Sequence, residues 1–90
     1  MRKNMMNVLE AFGNRKSANG DSKRTCSTDG TSIFSYSTEI ARFIENGRKV
    51  WLNTKSYSRT TNTQQNSVRL WASQNGYTKN KLVESDTCPE

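Results

Sequence analysis

Ninety residues with 14 Lys and Arg against 8 Asp and Glu, no His and a net charge of +6 describe one small basic domain. Apolar residues make up 31% of the chain, and Leu, Ile, Val and Phe together number 14, which excludes a large core. A core this thin gives only a few kcal/mol of stability, which leaves room for a partner or a second copy of the chain.

The charge is uneven. Residues 1–30 carry six Lys/Arg against three Asp/Glu and residues 31–60 five against two, whereas residues 61–90 balance at three and three. An excess of this kind serves either solubility or attraction to phosphate, RNA or DNA. Cys26 and Cys88 lack CxxC spacing and a His companion, so no zinc site, other metal site or cofactor is expected. Nothing from Met1 to Phe12 has the apolar run of a secretory signal, and no segment is apolar enough to span a membrane. Reduced thiols in a cytoplasmic setting are therefore expected.

In chain order, Met5, Val8, Leu9 and Phe12 recur at helical spacing before Gly13, which predicts a short N-terminal helix over 1–12. Residues 13–30 hold only Ala18 and Cys26 as apolar groups and predict a flexible basic linker. Residues 31–77 form the expected folded α+β domain. Within it, a β-rich run broken at Asn46-Gly47 predicts an antiparallel hairpin over about 32–45 and 48–58, since Asn-Gly suits a type I′ turn. Thr61 and Gln64 fit a capping box, Val68, Trp71 and Ala72 recur at helical spacing, and Gly76 supplies a stop. Together they predict a helix over about 62–75. Residues 78–90 show no periodicity and predict a loose tail.

The Asn46-Gly47 turn fixes a register: Ile44 opposite Lys49, Phe43 opposite Val50, Arg42 opposite Trp51, Ala41 opposite Leu52, then Thr38 opposite Lys55 and Tyr36 opposite Tyr57. Alternation then places Ala41, Phe43, Val50 and Leu52 on a core face that receives the following helix. The other face carries Tyr36, Ile40, Arg42, Ile44, Lys49, Trp51, Lys55, Tyr57 and Arg59. Cations interleaved with aromatics suit a single strand, with rings stacking on bases and Lys or Arg following phosphates. The competing reading is structural: Arg42 stacks on Trp51 as a cation–π pair, and the N-terminal helix covers Ile40, Ile44 and Tyr36. Ser35, Ser37, Thr38, Ser56, Ser58 and Thr60 similarly divide between cross-strand pairs or caps and donors to phosphate.

Ser35-Tyr36-Ser37-Thr38-Glu39-Ile40-Ala41, Trp51-Leu52-Asn53 and Tyr57-Ser58-Arg59-Thr60-Thr61 followed by Gln65 resemble a family of small phage and prophage proteins. Its pattern is SYxTxIA, a short hairpin, then YSxTTxxHQ at the start of a helix, and the likeness covers roughly residues 32–70. Gln64 stands where that pattern has His, which removes the one group able to do acid–base work at neutral pH. The resemblance implies a virus-encoded protein acting in the cytoplasm of an infected bacterium.

No general base, Gly-rich phosphate loop or paired carboxylates appear, so no catalytic residues are assigned and the chain is not expected to be an enzyme. The leading expectation is an accessory protein that binds RNA or single-stranded DNA through Arg42, Lys49, Trp51, Lys55, Tyr57 and Arg59. The alternatives are an inhibitor of a host enzyme, ribonucleoprotein or defence complex, as anti-CRISPR proteins are, or a small structural phage protein.

Overall fold

A computed structural model describes residues 3–20 and 25–89. The fold is α+β, as the patterning predicts, but its sheet is larger than one hairpin. A helix α1 (Lys3–Gly13) precedes three strands, β1 (Ser17–Asn19), β2 (Ser27–Asp29) and β3 (Ser32–Ser35). The expected hairpin follows as β4 (Thr38–Ile44) and β5 (Lys49–Asn53), then α2 (Arg59–Gln74) and β6 (Leu82–Ser85). The six strands lie in sequence order, antiparallel except for β6, which runs parallel to β5.

The β4–β5 register is the one the turn predicts, from Ala41 opposite Leu52 to Ile44 opposite Lys49. Asn46 and Gly47 both adopt positive φ, and the Arg48 amide donates to the Glu45 carbonyl, which is type I′ chemistry inside a tight turn. The positive φ of Gly47 favours glycine, and a Cβ there would also displace the Arg15 guanidinium.

The pairing stops earlier than expected. β5 ends at Asn53, so neither Thr38 with Lys55 nor Tyr36 with Tyr57 forms a pair. Thr38 instead pairs with Ser35 across a turn at Tyr36-Ser37. The Asn53 side chain explains the exit: its Nδ2 donates to the Glu39 carbonyl at 3.0 Å, satisfying an acceptor that a longer strand would have taken. β4 also carries a bulge. Ile33 faces Ala41 while Phe34 faces Glu39, leaving Ile40 as the extra residue. Ile40 and Ala41 consequently both join the core, so Ile40 does not share the Arg42 face as strict alternation predicts.

Two predicted irregular segments hold strands. Residues 13–30 contain β1 and β2, and 78–90 contains β6; residues 1–2, 21–24 and 90 of the predicted segments lie outside the described residues. These strands have three or four residues and few apolar groups, so they leave no periodic signal, and their ladders are made by non-local pairing. Cys26 in the supposed linker is 2% exposed, and a Cβ on Gly20 would overlap its Sγ. Cys26 and Cys88 form no disulfide.

Both helices pack on one face of the sheet. Phe12 of α1 stacks on Phe43 of β4 at 4.1 Å between ring centroids, and Trp71 of α2 meets both rings edge-on. Arg15 lies over Phe43, its guanidinium carbon 3.3 Å from the ring centroid, so a helix end, a strand and a helix meet at one aromatic ring.

α2 begins at Arg59, three residues before the predicted start, because Ser58 and not Thr61 is the N-cap: its hydroxyl accepts from the Thr61 amide. Thr61 is freed to face inward, where its hydroxyl pairs with Ser35 Oγ at 2.8 Å. One turn on, Gln64 donates to the Thr25 carbonyl at 2.8 Å. Gln65 donates to the carbonyls of Asn53 and Lys55 at 2.7 and 3.0 Å.

Two substitutions check this packing. Phe12→Ala should lower unfolding free energy in chemical denaturation by about 3–5 kcal/mol, the cost of an emptied ring site, if α1 belongs to the core. A loss under 1 kcal/mol would mean that α1 only rests on the surface. Thr61→Val keeps the shape but leaves the buried Ser35 hydroxyl without its partner, and should cost roughly 1–3 kcal/mol.

Candidate nucleic-acid interface

The six residues expected to form one basic-aromatic face divide into two groups. Arg42, Lys49 and Trp51 lie on the sheet face away from the helices, and all three are engaged. Arg42 pairs with Glu39 at 2.8 Å and also donates to Ser32 Oγ. Glu39 raises the pKa of the Arg42 guanidinium above its ordinary value against the opposing effect of burial, with a smaller contribution from Cys88. Lys49 pairs with Glu45 at 3.0 Å, in an exposed contact that adds little stability.

Trp51 is 3% exposed, and its indole N–H donates to the carbonyl and hydroxyl of Ser85. Strand β6 places Val83 opposite Trp51 and Ser85 at its indole N–H. A tryptophan so enclosed offers no face to a base. Neither expected structural account of this face holds in full, since Arg42 turns to Glu39 and α1 packs on the other side of the sheet.

Lys55, Tyr57 and Arg59 have a different situation. They lie in the exposed segment that leads from Asn53 into the first turn of α2. The node beneath holds that segment in place: Gln65 takes the Lys55 carbonyl, Asn53 Oδ1 accepts the Lys55 amide, and Asn53 Nδ2 donates to the Tyr57 hydroxyl at 3.0 Å. Among the described residues, neither Lys55 nor Arg59 has an ion-pair partner. The first turn of α2 has no acidic residue, so the positive end of a 16-residue helix adds to those two cations.

Tyr36 joins this group from the sheet side. It occupies the β3–β4 turn at φ 57° and is 55% exposed, while its amide donates to the Thr25 carbonyl. An aromatic residue in the left-handed region is uncommon and strained, and turns of this kind usually use Gly, Asn or Asp. The Ser35–Thr61 hydrogen bond ties this turn to α2, so Tyr36 and Arg59 line the same groove of about 710 Å³. Thr25, Thr60, Thr63 and Gln64 contribute to its walls.

Sequence reasoning places Tyr36 in a strand, weighs Thr60 only as one hydroxyl among six, and does not include Gln64 in the site. Ser-Tyr-Ser-Thr has no Gly, Pro or Asn to mark a turn, and β-rich residues flank it on both sides. The available signal was the Ser58-Arg59-Thr60-Thr61 start of α2, with Ser58 as the cap.

A second groove, of about 600 Å³, runs between α1 and α2 and exposes Met6 and Leu70. Among the described residues no group of three His, Cys, Asp or Glu could hold a metal ion, and no helix is long and apolar enough to cross a membrane.

Comparisons with curated proteins and with solved structures return no match. Residues 6–85, which take in the six described strands, most of α1 and the whole of α2, match a family described only as being of unknown function, and the chain belongs to that family, DUF8033.

Proposed function

We propose that the protein is a small non-catalytic phage or prophage accessory protein that binds single-stranded nucleic acid in the cytoplasm of an infected bacterium. Binding uses the N-terminal end of α2. The observation that carries this reading is the shared groove of Tyr36 and Arg59, beside Lys55 and Tyr57, where no carboxylate among the described residues neutralises either cation. Phosphates follow Lys55, Arg59 and the helix end, while the exposed Tyr36 ring offers a stacking surface for a base. Ser56 and Thr60 are exposed, and their hydroxyls supply further donors to phosphate. The non-catalytic reading rests on the absence of His and on the structural bonds that occupy Ser35, Ser58 and Thr61.

One observation favours a second class of partner. Met6 is 54% and Leu70 49% exposed in the groove between the helices, an apolar surface suited to a protein target. An inhibitor of a host enzyme or defence complex would engage its target there.

Binding of a labelled single strand, followed as a function of salt, separates the two. Lys55→Gln with Arg59→Gln should weaken binding and reduce the salt slope by about 1.4, at roughly 0.7 per phosphate contact. Tyr36→Ala should cost about 1–3 kcal/mol of binding. Arg42→Gln, on the ion-paired face, should leave affinity within about twofold, since that guanidinium is committed to Glu39. If the parent protein shows no salt-dependent binding, or if the double variant binds as the parent does, the nucleic-acid reading is wrong and the Met6–Leu70 groove becomes the surface to test.

A further inference from the structure

Gln64 is 8% exposed, and its Oε1 is the one buried side-chain polar atom among the described residues that lacks a hydrogen-bond partner. Its amide makes a single hydrogen bond, from Nε2 to the Thr25 carbonyl. Buried polar groups are almost always satisfied, so an orphan acceptor in the wall of a groove needs an explanation. The Thr25 carbonyl accepts the Tyr36 amide as well, at 3.3 Å. It therefore keeps a donor if Gln64 turns away. A change of rotamer about the Cβ–Cγ bond moves the amide as a whole, and such a turn would carry both of its ends towards the groove.

We propose that this groove accepts one base of the bound strand and that Gln64 reads its edge. The proposal rests on the single-strand reading given above and specifies its ligand. A primary amide offers an acceptor beside a donor. It is complementary to a base that carries an exocyclic amino group next to a ring nitrogen, as adenine and cytosine do. Oε1 accepts from the amino group, Nε2 donates to the ring nitrogen, and the amide gains two bonds in place of one. The imide edge of uracil or thymine, N3–H beside a carbonyl, can pair with the same amide, so the role of the amino group is tested within the purines alone. The other parts of a nucleotide site are at hand. Tyr36 stands at the groove for stacking, and Arg59 and the Thr60 hydroxyl stand at the positive helix end for the phosphate. The volume is that of a small-ligand site.

The test varies the ligand before the protein. Parent protein is titrated with short oligomers of equal length made of adenine or of unsubstituted purine, a base that keeps the rings and their nitrogens but lacks the amino group. Adenine oligomers should bind about tenfold more tightly. The same pair is then titrated against Gln64→Leu, with far-ultraviolet circular dichroism to check its fold. That variant should bind both oligomers equally, at the level of parent with unsubstituted purine, and with an unchanged salt slope. Equal binding of the two oligomers by the parent overturns the base-reading role and leaves the single-strand reading standing. Retained discrimination in a folded Gln64→Leu also overturns it. Absence of binding to either oligomer overturns both.

Discussion

The site depends on three side chains from the first two turns of α2. Thr61, Gln64 and Gln65 point inward and grip three separate parts of the chain. Thr61 holds Ser35 at the end of β3, Gln64 holds the Thr25 carbonyl ahead of β2, and Gln65 holds the Asn53 and Lys55 carbonyls where β5 leaves the sheet. The Ser35 hydroxyl and the Asn53 and Lys55 carbonyls gain these bonds from α2, and the Thr25 carbonyl shares its bond with the Tyr36 amide, so the helix start is fixed in register as well as in position. The outer side of the same turns presents Arg59, Thr60 and Thr63. The β3–β4 turn, the β5 exit and the helix start are thereby held side by side, and Tyr36, Lys55, Tyr57 and Arg59 come from these three segments.

Behind the node, the aromatic cluster of Phe12, Phe43, Trp71 and Tyr77 supplies the cohesion that a small core otherwise lacks. Its charges are used in two ways. Arg15 covers Phe43, while Arg42, Lys49 and Arg69 pair with Glu39, Glu45 and Glu84. Both acids in residues 31–60, Glu39 and Glu45, neutralise hairpin cations, so the unbalanced charge of that stretch is carried by Arg48 at the hairpin turn and by Lys55 and Arg59 at the helix start. Net charge alone says nothing about this division, which is set by which cations lie within reach of a carboxylate.

The sequence made the middle of the fold legible because its determinants are local. Asn46-Gly47 dictates the turn, the turn dictates the register, and the register from Ala41–Leu52 to Ile44–Lys49 follows. The spacing of Met5, Val8, Leu9 and Phe12 likewise reveals the buried side of α1. What was illegible depends on partners distant in the chain. β1, β2 and β6 are too short to show a period, and β6 gains its place by pairing beside β5, with Leu82 on the core and Glu84 paired to Arg69. Its arrival buries Trp51, a residue that composition and register put on an open face. Ile40 changes sides through a bulge with no Gly or Pro to announce it. The site was half legible for the same reason: Lys55, Tyr57 and Arg59 sit in one local segment, whereas Tyr36 and Gln64 reach it through contacts with Thr25 and α2.

The central claim is that a single strand lies across the N-terminal end of α2. Amide chemical shifts of the isotope-labelled protein, followed while a short single-stranded oligonucleotide is added, test it most directly. The account predicts changes concentrated at Tyr36 and through residues 55–60, fading along α2 and absent at Arg42 and Lys49. Shifts centred on Arg42 and Lys49, or on Met6 and Leu70, or no shifts at saturating oligonucleotide, would contradict it.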